Sequence, residues 1–232
     1  MIYQDLHNHT QWSDGSSTPE ELLHRARKNG LKVLGISNHY EVIQDKVAYR
    51  RTLNKLKKYF PDIKFLIGVE IRIGTLLSLP IVDLDTLNLY DYILIENLEY
   101  HTNIPEVLEY LSSIRSKLTA KIGLAHLDLE RLGSHRIGVI DFMVAQNIFL
   151  DFNFEGTFYA NLLQGYGQIE DILGSGIEII VGSDTHAIET DWWHNLISAH
   201  NYLIKHNHLL TPRTSKLTPT KSIYKTNKVF EH

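Results

Sequence analysis

Seven predicted strands, six of them short apolar runs, alternate with helical patterns along the chain, and this alternation most limits the folds that the chain can adopt. The predicted strands span residues 2–6, 33–37, 65–69, 92–95, 122–125, 149–153 and 178–182. Strands that alternate with helices predict βαβ units and therefore a parallel sheet. Runs that are apolar without interruption indicate strands that are covered on both faces. The pattern predicts an α/β fold with helices packed around a parallel sheet.

The first helix has the clearest start signal. Thr18 is predicted as its N-cap, Pro19 takes the first helical position and Glu21 completes a capping box. A second helix is predicted over residues 43–60, with Val47, Leu53, Leu56 and Phe60 on its apolar side. Further helical patterns cover residues 83–89, 105–118, 137–146, 160–173 and 192–205.

The chain reads as one domain with a tail. It has 232 residues, a common length for a single α/β barrel. No boundary is visible up to residue 210, and residues 211–232 are predicted to form a polar, basic C-terminal extension.

Composition excludes several classes of protein and site. The net charge of -4 disfavours a long nucleic acid or an anionic membrane as a partner. No cysteine is present, so any metal must be bound by nitrogen and oxygen. No apolar run approaches the roughly 18 residues of a membrane span, and the N-terminus lacks a signal-peptide pattern. A cytoplasmic protein is expected.

Histidines and carboxylates recur where the predicted strands end. Their positions are His7, His9, His39, Glu70, His101, His126, Asp184 and His186, with Asp14 in the first loop. In a parallel α/β fold the C-terminal strand ends share one face, which is where ligands bind. Residues two apart in an extended segment point the same way, so His7 and His9 can reach one ion together. The pattern therefore predicts a metal centre on that face.

The ligand types limit the metals. Nitrogen and oxygen ligands without sulfur suit zinc, manganese or iron(II). Nine ligands exceed the needs of one four-coordinate ion, so two or three ions with a bridging carboxylate are expected. The seven other histidines are interpreted as surface or packing residues; they are His24, His135, His194, His200, His206, His208 and His232.

Several motifs in order resemble the PHP family, named for polymerase and histidinol phosphatase. They are Asp5-Leu-His7-Asn-His9-Thr, Ser13-Asp14-Gly15, Gly35-Ile-Ser-Asn-His39, Gly68-Val-Glu70 and Gly182-Ser-Asp184-Thr-His186. The resemblance implies a distorted, TIM-like (β/α)7 barrel over residues 1–210, with three divalent ions (Zn, Mn or Fe) at the C-terminal face of the strands. It implies a first ion on His7, His9, Glu70 and Asp184, a second on Glu70, His101 and His126, and a third on Asp14, His39 and His186.

The resemblance also implies an activity, the hydrolysis of a small phosphate monoester as in histidinol phosphatases. A hydroxide bridging two ions would attack phosphorus, and Asp184 or a water would protonate the leaving oxygen. Arg72, Arg131 and Asn153 are candidate substrate-binding residues. Residues 153–161 contain no arginine, although histidinol phosphatases of this type carry one there, which argues against histidinol phosphate itself.

Three alternatives differ in class. A phosphodiesterase or nuclease acting on a short nucleic acid or a dinucleotide fits the same centre. So does a metal-binding regulatory module without catalysis, although retention of all nine ligand positions favours an enzyme. An amidohydrolase is disfavoured because it would need a bridging lysine where Glu70 stands.

Overall fold

The seven predicted strands all form, and they pair in the order in which they occur along the chain. The structure, a computed structural model, describes residues 3–80, 84–153, 169–188 and 192–205. All six pairings between neighbouring strands are parallel. The strands are β1 Gln4–Asp5, β2 Val33–Ile36, β3 Lys64–Arg72, β4 Tyr92–Glu96, β5 Lys121–Leu124, β6 Phe149–Asn153 and β7 Ile179–Gly182.

The first strand lies beside the last, which nearly closes the sheet into a barrel. The Leu6 amide donates to the Val181 carbonyl at 2.9 Å, and the Asp184 amide donates to the His7 carbonyl at 2.8 Å. The contact between the two strands continues beyond their ends, where the His9 amide donates to the Thr185 carbonyl at 2.9 Å. The predicted α/β barrel is confirmed, and the chain segments after β1 and β7 meet at its mouth.

Helices occupy the connections between the strands. They are α1 Pro19–Lys28, α2 Lys46–Leu56, α3 Ile73–Ser78, α4 Leu84–Leu87, α5 Ile104–Arg115, α6 Arg136–Gln146, α7 Ile169–Ser175 and α8 Trp192–Lys205. The predicted capping box of α1 is confirmed, because the Glu21 amide donates to Thr18 Oγ1 and the Thr18 amide donates to Glu21 Oε2. Within the described ranges, no helix combines the length and the apolar character needed to cross a bilayer.

One residue of the second helix faces the opposite way from its prediction. The helix starts at Lys46 after Asp45, whose carboxylate accepts the Ala48 amide at 2.8 Å. Tyr49, Leu53 and Leu56 form its buried face, whereas Val47 is 53% exposed. Val47 precedes Tyr49 by two residues, about 200° around the helix, so it cannot share that face.

A small apolar cluster fills the barrel beneath its mouth. Its buried members are Leu6, Val33, Tyr92, Leu94, Ala125, Phe149 and Ile180. The Tyr92 ring fits because Gly35 and Gly68 have no side chain; a Cβ at either position would overlap the ring. Its hydroxyl donates to the Leu6 carbonyl at 2.6 Å. The barrel interior is thus packed, and polar side chains at the strand ends are directed to the mouth above it.

Several predictions reach beyond the described residues, among them those for Ile2, Asp83 and the histidines His206, His208 and His232. Residues 160–168 of the sixth predicted helix lie outside them, while the end of that helix appears as Ile169–Ser175. The predicted extension over residues 211–232 lies wholly outside them. The division at residue 210 therefore stays a prediction.

Candidate metal centre

Side chains of the ligand types meet at the C-terminal mouth of the barrel. Within each of four groups, one nitrogen or oxygen atom per residue lies within 4.8 Å of the others. The groups are His9, Asp14, His39 and His186; His7, His126 and Asp184; His7, His9 and Glu70; and His39, Glu70 and Glu96. Eight of the nine predicted ligand positions are brought together in this way, and Glu96 joins them.

Glu70 lies at the centre of these groups. Its Oε1 is 3.3 Å from His7 Nε2 and 3.1 Å from His126 Nε2. Its Oε2 is 3.3 Å from His9 Nε2 and 3.4 Å from His39 Nδ1. Burial raises the pKa of this carboxyl, but the neighbouring imidazoles outweigh burial and bring the pKa well below 4.5. Glu70 is therefore a carboxylate whose two oxygens face two different sets of nitrogens, the geometry that a bridging ligand requires.

His7 is oriented by a carboxylate that the sequence reading missed. Its Nδ1 lies 2.6 Å from Asp151 Oδ2, on the side of the ring away from Glu70. A Cβ at Gly182 would overlap Asp151 Oδ1, so glycine is needed for this approach. A carboxylate that accepts Nδ1–H fixes the tautomer and leaves the Nε2 lone pair free for a metal.

Replacing Asp151 with asparagine is expected to weaken metal binding about 10- to 100-fold, because the amide no longer holds the Nδ1 proton of His7 as a charged acceptor. Calorimetric titration of the metal-free protein with Mn²⁺ measures this loss. Asp141→Asn, on the exposed side of α6, is the matched control and should bind like the wild type. Equal affinities in the two variants would contradict the assigned role of Asp151.

The first loop brings Asp14 to the centre. Asp14 Oδ2 lies 3.3 Å from both His39 Nε2 and His186 Nε2. The Asn38 side chain holds this loop in place, since its Oδ1 accepts the Thr10 amide at 2.7 Å and the Ser13 hydroxyl at 2.8 Å. Asn38 thus positions the loop that carries Asp14.

Gly15 packs closely against the backbone of His9 and Thr10. A Cβ there would lie 2.5–2.6 Å from backbone atoms of His9 and Thr10, which cannot give way easily. Gly15→Ala is expected to displace Asp14, destabilise the fold by about 1–3 kcal/mol and weaken binding of one ion. Thermal unfolding and metal titration test this against Gly138→Ala, where a Cβ meets nothing within 4 Å. The same melting temperature for both variants would refute the steric argument.

Two candidate ligands have backbones in the left-handed region. Asp184 has φ 54° and His126 has φ 52°. Such conformations cost on the order of 1–3 kcal/mol for residues other than glycine and concentrate at functional sites. They direct Asp184 Oδ1 to 3.1 Å from His9 Nε2 and His126 Nε2 to 3.1 Å from Glu70.

Several buried atoms in the centre have no hydrogen-bond partner in the described part of the chain. They are Nδ1 of His9, Nδ1 of His39 and Oδ1 of Asp184. Each faces other ligand atoms rather than solvent or backbone. Buried polar atoms left without a partner destabilise a fold, and a cation between them removes that cost. The residues therefore fit divalent metal ions bound by nitrogen and oxygen.

The imidazoles and carboxylates of the centre stabilise each other's charged forms. Burial lowers the pKa of His7, but Glu70 and Asp184 outweigh it and raise that pKa well above 6.5. The pKa values of His9 and His126 are raised too, burial again being outweighed by the carboxylates. Burial raises the pKa of Asp184, but His7 and the other imidazoles bring it to about 2. Without metal, protons on these imidazoles balance the carboxylates.

His101 lies apart from the groups described above. It follows a 3-10 turn at Leu98–Tyr100, and its Nδ1 accepts the Asn103 amide at 3.2 Å. It lines a surface depression of about 430 Å³ together with Arg72, Asn97 and Tyr100. Its predicted place on the second ion stays a prediction, without support from a nearby ligand atom in the described residues.

The candidate substrate-binding residues divide into two kinds. Arg72 is at the rim, with Nε 3.3 Å from Glu96, and Arg131 stacks over the Tyr100 ring at 4.1 Å. Asn153 instead is buried with its side-chain amide 3.2 Å from His126 Nδ1. That contact orients a candidate ligand. If His126 Nε2 binds an ion, Nδ1 carries the proton and the oxygen of the Asn153 amide must face it.

A signal for the two missed residues exists in the sequence. Glu96 is the last residue of β4, the same kind of position that identified the other candidates. Asp151 is a carboxylate inside an otherwise apolar strand and shares a strand face with Asn153. The strand-end rule applied elsewhere in the chain selects Glu96, but it does not select Asp151, which lies in the middle of its strand.

Comparison with known families agrees with this geometry. The model of the PHP domain family matches residues 5–204, a range that contains every candidate ligand from His7 to His186. Among curated proteins, an uncharacterised protein of Methanocaldococcus jannaschii is 37% identical over 70 residues. That alignment covers 29% of this chain and 32% of the relative, so the chain matches about a third of the relative's length.

Two solved structures share the architecture. Histidinol phosphate phosphatase from Lactococcus lactis, complexed with zinc, L-histidinol and phosphate, gives a TM-score of 0.61 at 15% identity, covering 88% of this chain and 93% of that chain. A chain in a cryo-EM structure of archaeal ribonuclease P with mature tRNA gives 0.50 at 11% identity, with coverages of 97% and 100%. At such identities the likeness concerns the fold alone.

Proposed function

The chain belongs to the PHP domain family, and we propose that it is a metal-dependent phosphoesterase that hydrolyses a small phosphate monoester. The observation that carries the proposal is the set of imidazoles and carboxylates gathered around Glu70 at the barrel mouth. A structural role alone would not account for buried ligand atoms that face one another without hydrogen-bond partners.

We assign three divalent ions, zinc, manganese or iron, to this centre. The side chains that would hold them are His7, His9, Asp14, His39, Glu70, His126, Asp184 and His186. When bound, such ions supply Lewis acidity and an acidified water that can attack phosphorus near neutral pH. The chain's part is to hold these ligands close together and rigid.

Residues behind the ligands do that positioning. Asp151 holds the Nδ1 proton of His7, so that Nε2 faces the centre. Asp5 accepts the Ser183 amide at 2.9 Å and Trp192 Nε1 at 2.9 Å, which ties the ends of β1 and β7 together. Burial raises the pKa of Asp5 to about 6, although these donors oppose the shift. The two carboxylates thus stabilise the segments that carry His7 and Asp184.

Asp184 is better suited to binding metal than to donating a proton. A carboxyl with a pKa of about 2 is ionised throughout the neutral range. A bound ion nearby would lower that pKa further. Its predicted part in protonating the leaving oxygen stays a prediction that this charge distribution does not favour.

A surface depression near the end of β4 has room for a small substrate. It measures about 430 Å³ and is lined by Arg72, Tyr100 and His101 among others. Small-molecule sites commonly have volumes of about 300–1,000 Å³. The exposed guanidinium of Arg72 stands where it can meet a substrate oxyanion. The residues 154–161 that lack an arginine lie outside the described residues.

The test measures metal content and ester hydrolysis on the same preparations. The metal-loaded chain is assayed with p-nitrophenyl phosphate, histidinol phosphate and bis(p-nitrophenyl) phosphate. The proposal expects three ions per chain, with monoester turnover exceeding diester turnover. His9→Ala should lose turnover, whereas His24→Ala, which alters a ring packed edge-on against Phe60, should keep it. If the fully metal-loaded chain cleaves only the diester, the protein is a phosphodiesterase rather than a phosphatase. If it cleaves none of the three substrates, the proposal is refuted.

A further inference from the structure

Glu96 is a carboxylate at the centre to which no function has been assigned so far. It is the last residue of β4, and its neighbour across the sheet is Arg72 at the end of β3. Its Oε1 lies 3.6 Å from His39 Nδ1, and the two residues form a ligand group with Glu70. Only 9% of Glu96 is exposed.

The charges around Glu96 call for a cation. Glu70 and Glu96 are both buried, and two carboxylates in one buried group repel each other. The Arg72 guanidinium offers one contact, at 3.3 Å, but its side chain is 64% exposed, so solvent screens its charge. Asn97 donates to Oε2 at 3.0 Å without charge. A divalent ion between the two carboxylates would neutralise them in place of the protons that the surrounding imidazoles carry in the metal-free protein.

The backbone after β4 explains why His101 does not take this place. Asn97 has φ 68°, in the left-handed region, and a 3-10 turn over Leu98–Tyr100 follows at once. The turn buries Leu98 and leaves His101 on the surface depression. The His101 Nδ1 lone pair already accepts the Asn103 amide, so a neutral ring carries its proton on Nε2. In this arrangement neither ring nitrogen is available to a metal.

We propose that Glu96, and not His101, is the ligand that strand β4 supplies to the metal centre, where it binds an ion together with Glu70. The inference rests on the proposed function only in so far as that function requires metal. A carboxylate in place of an imidazole makes this position richer in oxygen, which favours manganese or iron(II) over zinc there.

A cysteine placed at each position tests the assignment directly. The chain has no cysteine of its own, so a thiolate-to-cobalt absorption band in the near ultraviolet can come only from the introduced residue. Glu96→Cys loaded with Co²⁺ should show the band, and His101→Cys should not. A band from His101→Cys with none from Glu96→Cys would overturn the inference.

A second pair of variants keeps the test independent of cysteine chemistry. Glu96→Gln should lose one Mn²⁺ per chain, or bind it about 100-fold more weakly, while His101→Ala binds like the wild type. Circular dichroism confirms that each variant is folded. Unchanged Mn²⁺ binding by a folded Glu96→Gln would refute the inference while leaving the phosphoesterase proposal intact. If the wild type binds metal but cleaves no ester, and Glu96→Gln loses Mn²⁺ binding as expected, the result would support the inference and refute the phosphoesterase proposal.

Discussion

Glu70→Gln is expected to reduce phosphate-ester hydrolysis by at least about 10³-fold while the barrel stays folded. Glu70 belongs to two of the groups, and it is the only carboxylate in the described part of the chain that faces His7, His9, His39 and His126 through its two oxygens. An amide removes the charge and replaces one acceptor with a donor. Metal ions contribute several kcal/mol of transition-state stabilisation, and each 1.36 kcal/mol is a factor of ten in rate.

The matched control for this variant is Glu99→Gln. Glu99 is also a buried carboxylate, whose pKa burial raises, but it belongs to none of the ligand groups among the described residues. Its replacement by a neutral amide should leave turnover and metal content close to those of the wild type. Both variants are compared by turnover of p-nitrophenyl phosphate and by plasma mass spectrometry of bound metal. Wild-type turnover and metal content in Glu70→Gln would remove the central ligand from the proposed site.

The sequence was most informative where backbone geometry follows directly from strand pattern. The ends of parallel strands must share one edge, so His39, His126 and Asp184 could be placed together without knowledge of any distance. The same rule covered Glu96, which was overlooked because a histidine follows it five residues later. A strand-end residue has a fixed position, whereas a residue beyond a turn does not.

Loop conformation is what the sequence could not provide. The left-handed backbone of Asn97 and the turn that follows it determine where His101 lies, and no short-range sequence pattern predicted them. Contacts between distant segments are equally hidden: Asp151 and His7 are 144 residues apart, and their approach depends on the missing side chain of Gly182. Helix phase is a smaller case: Val47 precedes Tyr49 by two residues, so it points away from the sheet when Tyr49 packs against it.

The stability of the metal-free protein should fall on both sides of a mildly acidic optimum. The pKa values of His7, His9 and His126 are raised in the folded state above the ordinary 6.5. Their stabilising contribution is therefore complete below pH 6.5 and is lost as the pH rises through their pKa values in the folded state. The pKa of Glu70 is lowered in the folded state, so its stabilising contribution is complete above pH 4.5 and is lost as the pH falls through its folded-state pKa. Because the histidines lose their contribution at high pH and Glu70 loses its own at low pH, the optimum of stability lies between pH 4.5 and pH 6.5.

Metal binding should show the complementary pH dependence, with affinity that rises by up to about tenfold per pH unit for each proton displaced. An ion can bind His7, His9 or His126 only after their raised pKa values have been overcome, whereas Glu70 and Asp184 are ionised already. Mn²⁺ titration at mildly acidic, neutral and mildly alkaline pH measures this slope. Calorimetry in buffers of different ionisation enthalpy counts the protons released.

The same titration distinguishes this centre from a surface cluster of carboxylates. Carboxylates alone release no protons on binding an ion at neutral pH, because they are deprotonated well below it. Displacement of at least one proton per ion is expected here, since imidazoles that compensate buried carboxylates must give up their protons to bind metal. The increase in unfolding temperature that added metal produces should become larger as the pH rises, because metal then binds more tightly. A pH-independent affinity would mean that the ions bind elsewhere than on the histidines around Glu70.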